Sequence, residues 1–346
     1  MQFPKLNIPK IRLSRTSMAE VTRLTREGRL QDAMSKLLGG GKTLAPRAAP
    51  LKATRLSKAA SADQKGTFTA YQFANDAGAR SYKLFVPSSY GKKPMPLVIM
   101  LHGCTQNPDD FALGTNMNVL AEQQGFLVAY PQQPGSAHMT KCWNWYRPED
   151  QQRGKGEPEI IAGLTRKIMQ DFKIERTQVY VAGLSAGGAA AAIMATQYPD
   201  IFAAVGIHSG LACGLAFDVT SAMSAMRSGS QKPERASKIK IPTIVFHGDR
   251  DATVNPANAE TIVAHHAGAD RLNKTQQKVA SDSGVISTQM TFADASGKPE
   301  IEQWLIHGAA HAWSGGNARG TFAEASGPDA STEMLRFFFA HKLKSA

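Results

Sequence analysis

The segment around Ser185 constrains the fold more than any other stretch of the sequence. The apolar run VYVA leads directly into Gly183-Leu184-Ser185-Ala186-Gly187, and the alanine-rich run GAAAAIMAT follows at once. A strand that reverses straight into a helix needs small residues at the turn, and the two glycines leave room for the neighbouring backbone. The pattern therefore predicts a strand–turn–helix unit with Ser185 at its apex, where the helix N-terminus favours negative charge.

The chain from about Thr67 onward alternates short apolar runs with helical stretches. Such alternation is typical of βαβ units and of a largely parallel sheet. Together with the strand–serine–helix turn, it predicts an α/β-hydrolase fold, with a mostly parallel central sheet flanked by helices and an antiparallel hairpin at one edge. Strands are expected at 67–74, 80–87, 96–103, 125–132, 178–185, 203–210, 242–249 and 301–308, and helices near 157–173, 186–197, 255–266 and 330–343.

Composition divides the chain into three segments. Residues 1–38 are basic, and the part from 17 to 38 combines a capping-box pattern with apolar residues at helical spacing, so a helical leader is expected. Residues 39–66 are rich in Gly, Ala, Pro, Ser and Lys without an apolar period, which is typical of a flexible linker. We expect residues 67–346 to form the catalytic domain.

The net charge of +12 is concentrated in the first two segments. Residues 1–66 contain 14 Lys and Arg against 4 Asp and Glu, a net charge of +10, which leaves a net charge of +2 for the rest of the chain. A nearly neutral domain without a nucleic-acid-binding motif argues against a nucleic-acid partner. We expect the basic leader either to contact an acidic surface, such as a lipid or granule coat, or to be a solvated tail.

The sequence shows neither a membrane span nor a secretory signal. No apolar run approaches the length of a transmembrane helix, and the basic start MQFPKLNIPKIRLSR lacks the apolar core of a signal peptide. We therefore expect a cytoplasmic protein, with an extracellular location as the alternative.

A serine hydroxyl becomes a good nucleophile only when a base takes its proton. In this fold an acid and then a histidine follow the serine, each after a later strand. Asp249 and Asp251 both follow the predicted strand 242–249, and Asp251 is favoured because it begins a D-x-x-V pattern in the loop. His311 lies in a loop after the last strand and is the predicted base, whereas His307 lies within that strand. A metal pair of the two histidines is not expected, because Gly308 and the strand oppose a helix there.

Acyl transfer also needs backbone donors for the oxyanion. The N–H of Ala186, next to the nucleophile, is one predicted donor. The other is the N–H of Cys104 in the His102-Gly103-Cys104 turn, where the imidazole of His102 is expected to shape the loop. Three tryptophans are candidates for a substrate wall: Trp143 and Trp145 in the CWNWY loop, and Trp313 beside the predicted base. A core position under the loop fits Trp143 equally well, and Trp145 is the better surface candidate.

Two further stretches bear on the site. Residues 211–240 are long and loosely patterned and could partly cover it as a lid. Cys104 and Cys142 lie on segments expected to converge at the site, so a bridge between them is compatible with the pattern, with Cys213 left over. Reduced thiols are the default in a cytosolic protein, and the sequence leaves both states open.

Several motifs, in this order along the chain, resemble the PHB depolymerase family of esterases over roughly residues 67–343. They are LHGCTQNPDDF, CWNWY, VYVAGLSAGGAAAAIMA, FAAVGIHSGL, HGDRDATV, HGAAHAWSGG and GPDASTEMLRFF. The resemblance implies Ser185 as nucleophile, Asp251 as acid, His311 as base and His102 as the oxyanion histidine. It implies hydrolysis of carboxylic esters, with poly(3-hydroxybutyrate) as the named substrate, and the same family extends to feruloyl and acetylxylan esterases.

The sequence therefore predicts a serine ester hydrolase that acts through an acyl-enzyme without a metal or an organic cofactor. The expected substrate is poly(3-hydroxybutyrate), its oligomers or a related polyester, and the alternative is a feruloyl, acetylxylan or general short-chain ester. Extracellular depolymerases of the family usually carry a C-terminal substrate-binding domain, and no such region follows the last predicted helix, so attack on crystalline polymer is not expected. A serine peptidase of the same fold has no support beyond the shared triad.

Overall fold

The computed structural model describes residues 65–229, 241–267 and 272–344. Ten strands of this part form one sheet in the order β1-β2-β4-β3-β5-β6-β7-β10-β9-β8. The strands are β1 Thr67–Asn75, β2 Gly78–Val86, β3 Met95–Leu101, β4 Leu127–Pro131, β5 Ile174–Leu184, β6 Ala204–His208, β7 Thr243–Gly248, β8 Asn273–Ala280, β9 Ile286–Ala293 and β10 Pro299–Ile306. A two-stranded parallel pair, β11 Trp313–Ser314 and β12 Ala323–Glu324, lies beyond β10 along the chain.

The centre of the sheet is parallel and its two edges are antiparallel. Strands β4, β3, β5, β6, β7 and β10 run in the same direction. The β1–β2 hairpin continues the sheet on one side, and β9 with β8 continues it on the other. Because the carboxyl ends of parallel strands meet at one edge of the sheet, the loops after β3, β5, β6, β7 and β10 converge there.

Helices cover the sheet, and the strands between them are almost fully buried. Every residue of β4, β6 and β7 is buried, as expected for central strands covered on both faces. The helices are α1 Pro108–Thr115, α2 Met117–Gln124, α3 Gly156–Asp171, α4 Ala186–Gln197, α5 Val219–Ser228, α6 Ala257–Ala267 and α7 Ala330–Phe339, with a 3₁₀ turn at Pro148–Gln151. None of the helices in these described ranges is long and apolar enough to cross a bilayer.

The predicted α/β-hydrolase fold is confirmed: a mostly parallel central sheet is flanked by helices, and all eight predicted strands are present within a few residues of their expected bounds. The four predicted helices are also present, although the last one ends at Phe339 and not near 343. Strands β8 and β9 and helices α1, α2 and α5 were not predicted. The predicted leader helix at 17–38 lies outside the described residues, as does the predicted linker up to residue 64.

Candidate active site

The turn between β5 and α4 holds Ser185 in a strained backbone conformation. Its φ is 58° and its ψ is −122°, a region that non-glycine residues rarely occupy. A Cβ at Gly183 would clash with the carbonyl oxygen of Gly187, and a Cβ at Gly187 would clash with the carbonyl oxygen of Leu101. The two glycines therefore allow β5, α4 and the neighbouring β3 to approach closely, and this close approach is what the tight turn at Ser185 requires.

The backbone of Ser185 is hydrogen-bonded on both sides, whereas its hydroxyl has no hydrogen-bond partner among the described residues. Its N–H donates to the carbonyl oxygen of His208 at 2.9 Å, and its own carbonyl accepts from the N–H of Ala189 at 2.9 Å. The residue retains 5% of its exposure. Among the described residues the hydroxyl has no hydrogen-bond partner, so it is available to a base that approaches from the loops above the sheet.

The loops after β7 and β10 bring Asp251 and His311 together. Nδ1 of His311 donates to Oδ2 of Asp251 at 2.6 Å, while Oδ1 accepts from the N–H groups of Thr253 and Val254, both at 2.8 Å. Burial alone would raise the pKa of the Asp251 carboxyl. The charge of His311 and hydrogen bonds from His247 and His311 outweigh burial and hold that pKa well below its usual range. The carboxylate is thus ionised and fixes the His311 tautomer with its hydrogen on Nδ1.

Asp249 makes a parallel pair with the other histidine of the same loop. Its Oδ2 accepts from Nδ1 of His307 at 2.9 Å, and its Oδ1 accepts from the N–H of Gly308 at 2.7 Å. Nε2 of His307 contacts the hydroxyl of Thr288 at 2.9 Å. The structure therefore joins Asp251, and not Asp249, to His311. Asp249 and His307 instead tie the end of β7 to the end of β10 below the loop that carries His311.

The loop after β3 and the first residue of α4 each place a free amide beside the nucleophile. A Cβ at Gly103 would lie 3.6 Å from Cβ of Ser185, so this loop packs directly against the serine. The N–H groups of Cys104 and Ala186 have no hydrogen-bond partner in the described part of the chain. Gln106 supports the loop, because its Oε1 accepts from the N–H of Gly103 at 2.9 Å.

His102 is a buried, neutral support of this loop. Nδ1 donates to the carbonyl oxygen of Gly103 at 2.7 Å, and Nε2 accepts from the N–H of Gln133 at 3.1 Å. Burial lowers the pKa of His102 to about 4, although the bond to Gly103 opposes that shift. With both nitrogens occupied, the imidazole orients the backbone and is not poised to transfer protons.

A disulfide links this loop to the CWNWY segment. Cys104 and Cys142 are bonded, with their Cα atoms 4.2 Å apart, and Cys213 is a free thiol. The N–H of Thr105 also donates to the carbonyl oxygen of Thr140 at 2.6 Å. The pairing that the sequence left open is thus formed in the structure, and it fastens the residue that carries one free amide.

A buried carboxylate at the start of α3 organises the CWNWY segment. Oε2 of Glu157 accepts from the N–H of Asn144 at 2.8 Å, and its Oε1 accepts from the Asn144 side chain at 2.7 Å. Gln133 and Arg80 bond to the same Oε1, and the Arg80 ion pair spans 3.1 Å. Glu157 thereby connects the segment to the edge hairpin and to the strand end that supports His102. Sequence reasoning did not single out Glu157 or Gln133.

The three tryptophans are packed inside and form no exposed wall. Trp143 is 0% exposed and donates through Nε1 to the carbonyl oxygen of His102 at 3.1 Å. Trp313 is 1% exposed and packs edge-on against Phe111. Both side chains fill space beneath the site loops, which for Trp143 is the core position that the sequence left open, and their contact with a substrate stays a prediction. Trp145 retains 7% exposure, and its predicted role stays a prediction.

Two histidines at strand ends were missed. His208 ends β6 and His247 lies in β7, and both are completely buried. Nε2 of His208 accepts from the N–H of Ser314 at 3.1 Å, while its ring stacks between Phe246 and Trp313. Their position at the carboxyl ends of central strands was the one available signal. Burial lowers the pKa of His208 to about 3, so it is neutral.

A cavity of about 230 Å³ lies alongside the loop that carries His311. Ala310 and Ala312 line it, but Ser185 and Asp251 do not. Within the three described ranges no group of three or more His, Cys, Asp or Glu side chains is arranged to hold a metal ion.

Comparison with known proteins gives one family and several relatives. The family model described as Esterase PHB depolymerase matches residues 80–278. Poly(3-hydroxyalkanoate) depolymerase C of Paucimonas lemoignei is 32% identical over 230 residues, which are 62% of this chain and 54% of that protein. Probable acetylxylan esterase A of Aspergillus clavatus is 28% identical over 203 residues, which are 54% of this chain and 65% of that protein.

Feruloyl esterase B of Thermothelomyces thermophilus is 26% identical over 249 residues, which are 66% of this chain and 82% of that protein. Among solved structures, the acetyl xylan esterase from Aspergillus awamori matches with a TM-score of 0.61 and 19% identity, covering 79% of this chain and 99% of that one. The likeness shows a shared fold. The chain spans between about half and two thirds of the length of the first two relatives.

Proposed function

The chain belongs to the PHB depolymerase family of esterases, and from that premise we propose that it cleaves short-chain hydroxyalkanoate polyesters or their oligomers through an acyl-enzyme on Ser185. It is a carboxylic ester hydrolase. The observation that carries the proposed mechanism is the 2.6 Å hydrogen bond between Asp251 and His311, on the same sheet edge as the strained Ser185 turn. The similarity to the Paucimonas lemoignei poly(3-hydroxyalkanoate) depolymerase supports the polyester substrate.

In the proposed acylation step, Oγ of Ser185 attacks the ester carbonyl carbon. Nε2 of His311 takes the hydroxyl proton, and the Asp251 carboxylate stabilises the imidazolium that forms. The tetrahedral intermediate then collapses, the bond to the alcohol oxygen breaks, and His311 returns the proton to the leaving alkoxide. The products of this half-reaction are the free alcohol end and an ester on Ser185.

The developing oxyanion is bound by the free N–H groups of Cys104 and Ala186. Neither amide is engaged by another described residue, so neither has to break an existing bond to donate to the substrate. Loss of one such donor typically raises the barrier by ~3 kcal/mol. In the second half-reaction His311 activates water, which attacks the acyl-enzyme and releases the acid with Ser185 regenerated.

A feruloyl or acetylxylan ester is the second candidate substrate class. Named relatives of both kinds match over more than half of this chain. The same triad and oxyanion donors serve every carboxylic ester, so the distinction between these classes depends on the substrate groups beyond the scissile bond.

We further propose that residues 67–346 carry the activity and that the basic segment 1–66 holds the protein at an acidic surface such as a granule coat. All proposed catalytic groups fall within the first of these ranges, and the excess positive charge falls in the second. A variant that starts at residue 67 should retain small-ester turnover but lose sedimentation with amorphous polymer granules. Equal sedimentation of both forms would contradict a surface role for the leader.

Clearing of an amorphous poly(3-hydroxybutyrate) suspension tests the substrate. The full-length protein should clear the suspension and release 3-hydroxybutyrate or short oligomers, with p-nitrophenyl butyrate hydrolysis run in parallel to establish that the enzyme is active. Rapid cleavage of the small ester without clearing would exclude the polymer. In that case methyl ferulate and acetylated xylan are the next substrates to compare.

A further inference from the structure

The Asp251–His311 pair has a second histidine on the same carboxylate oxygen. His247 lies in β7, and its side chain has no exposure. Its Nε2 is 3.3 Å from Oδ2 of Asp251, the atom that also receives Nδ1 of His311 at 2.6 Å. The proposed mechanism does not use His247, and the side chain cannot reach a substrate. Any effect on catalysis must therefore pass through Asp251.

The tautomer of His247 follows from its second contact. Nε2 also lies 2.9 Å from the carbonyl oxygen of Val254, which can only accept, so Nε2 carries the hydrogen. That hydrogen bonds to the carbonyl oxygen, and Oδ2 of Asp251 lies beside it, 3.3 Å from Nε2. Nδ1 is buried and has no hydrogen-bond partner in the described part of the chain.

An imidazole with one orphaned nitrogen is a poor space filler. A leucine of similar size would pack in the same place without burying an unsatisfied nitrogen. The group that distinguishes histidine from such a residue here is the Nε2–H donor. Since that donor contacts both Asp251 and the backbone of the loop that holds Asp251, its structural effect is concentrated on the acid.

We propose that His247 is a positioning residue that holds the Asp251 carboxylate and draws off part of its negative charge, so that it tunes His311 as a base. The inference rests on the proposed function, because it takes Asp251 and His311 as the acid and the base. Three hydrogen bonds then hold the carboxylate, from the N–H groups of Thr253 and Val254 and from His311, and the Nε2–H group of His247 lies beside it at 3.3 Å.

The sign of the effect follows from the charge on Oδ2. A donor on this oxygen weakens the attraction between the carboxylate and protonated His311, so the imidazolium gives up its proton more readily. The titratable groups facing this cluster are Asp251, His311, His247 and His208 of the adjacent β6, which is neutral. Removal of the His247 donor should therefore leave His311 protonated to a higher pH.

Three substitutions separate the donor from the volume. Leucine in His247→Leu fills the space without a donor, and asparagine in His247→Asn is polar but too short to place a donor at the Nε2 position. Glutamine in His247→Gln carries two amide hydrogens at about the reach of Nε2. The readout is the pH profile of kcat/KM for p-nitrophenyl butyrate, whose acidic limb reports the essential base of the free enzyme.

His247→Leu and His247→Asn should lower kcat about tenfold with KM changed less than about twofold, and should shift the acidic limb upward by about half a pH unit. His247→Gln should restore both kcat and the position of the limb. The inference would be overturned if the acidic limb of the kcat/KM profile did not shift in either His247→Leu or His247→Asn. It would also be overturned if His247→Gln had the same kcat and the same acidic limb as His247→Leu. Thermal unfolding shows which variants are folded, and asparagine replaces leucine as the donor-free variant if leucine is not tolerated.

Ser185→Ala and His311→Ala in the same assay keep the two ideas apart. If either variant retains activity, the proposed triad fails and the inference fails with it. If Ser185→Ala and His311→Ala are both inactive but the acidic limb does not shift in His247→Leu or His247→Asn, the proposed triad stands. Only the proposed role of His247 is then rejected.

Discussion

At the scale of single residues, the sequence identifies side chains that a motif places and misses side chains that only packing places. The position of Ser185 on its turn could be predicted because the turn requires glycines at fixed spacing, and the pairing of Asp251 with His311 because strand order predicts which loops meet. Their catalytic roles stay predictions. His208 and His247 could not be assigned, because a histidine in a buried strand has the same pattern whatever it contacts. Trp143 stayed open between a core position and a substrate wall, because an aromatic cluster in a loop does not reveal which face is covered.

The two acids after β7 give the sharpest residue-scale prediction. Asp251→Asn removes the carboxylate that fixes the Nδ1–H tautomer of His311 and should lower kcat on the order of 10⁴-fold. Asp249→Asn is the matched control, since Asp249 bonds to His307 and Gly308 instead, and should cost less than about tenfold. Steady-state kinetics with p-nitrophenyl butyrate compare them. A larger loss for Asp249→Asn would reverse the assignment.

At the scale of elements, the central strands and the β1–β2 hairpin at one edge of the sheet could be predicted, and the opposite edge, formed by β9 and β8, could not. Strands β5, β6 and β7 are continuous apolar runs between helical stretches, which is a strong signal. Strand β8, NKTQQKVA, is almost entirely exposed and polar, so no apolar alternation marks it. It forms because β9 offers a free edge to pair with, a cause that lies outside its own sequence.

The disulfide between the β3 loop and the CWNWY segment should matter for rate. It holds Cys104, whose N–H is a proposed oxyanion donor. The double variant Cys104→Ser with Cys142→Ser should lower kcat about tenfold while KM changes little, because the donor is loosened and not removed. Wild-type enzyme treated with reductant should behave similarly, and Cys213→Ser is the control. Unchanged kcat in the double variant would show that the loop holds itself without the bridge.

At the scale of the whole molecule, the fold class and the family could be predicted because many weak patterns agreed along the chain. Three patterns each indicated the same fold: the strand–serine–helix turn, the order of the predicted acid and base, and the alternation of strands and helices. The substrate could not be predicted in this way. The triad chemistry is common to carboxylic esters, and the groups that select one ester are set by loop packing, which no periodicity encodes.

Buried neutral histidines predict the response of the folded state to acid. Burial lowers the folded pKa of His102 to about 4 and of His208 and His266 to about 3, from an ordinary value of 6.5. The unfolded chain therefore binds protons below about pH 6.5 that the folded chain does not. The free energy of unfolding should fall as the pH drops from there towards about 4, by up to ~1.4 kcal/mol per pH unit for each histidine. The depressed pKa of Asp251 acts in the same direction at lower pH.

Urea unfolding at about pH 7 and about pH 5, followed by tryptophan fluorescence, measures this loss. His266→Leu is the matched control, because both ring nitrogens of His266 are buried without a partner and the residue lies away from the triad. The free energy of unfolding of the variant should fall less steeply with decreasing pH than that of the wild type. The difference in slope should correspond to about one bound proton. Equal stability of the wild type at both pH values would contradict the account of these histidines.

The most direct test of the central claim is the rate at which Ser185→Ala hydrolyses p-nitrophenyl butyrate. Alanine preserves the turn backbone and removes only Oγ, so thermal unfolding should match the wild type while kcat falls by at least about 10⁴-fold. That result would establish Ser185 as the nucleophile of a correctly folded enzyme. A folded variant with a kcat within about tenfold of the wild type would show that the ester is cleaved without this hydroxyl, and the acyl-enzyme mechanism would have to be abandoned.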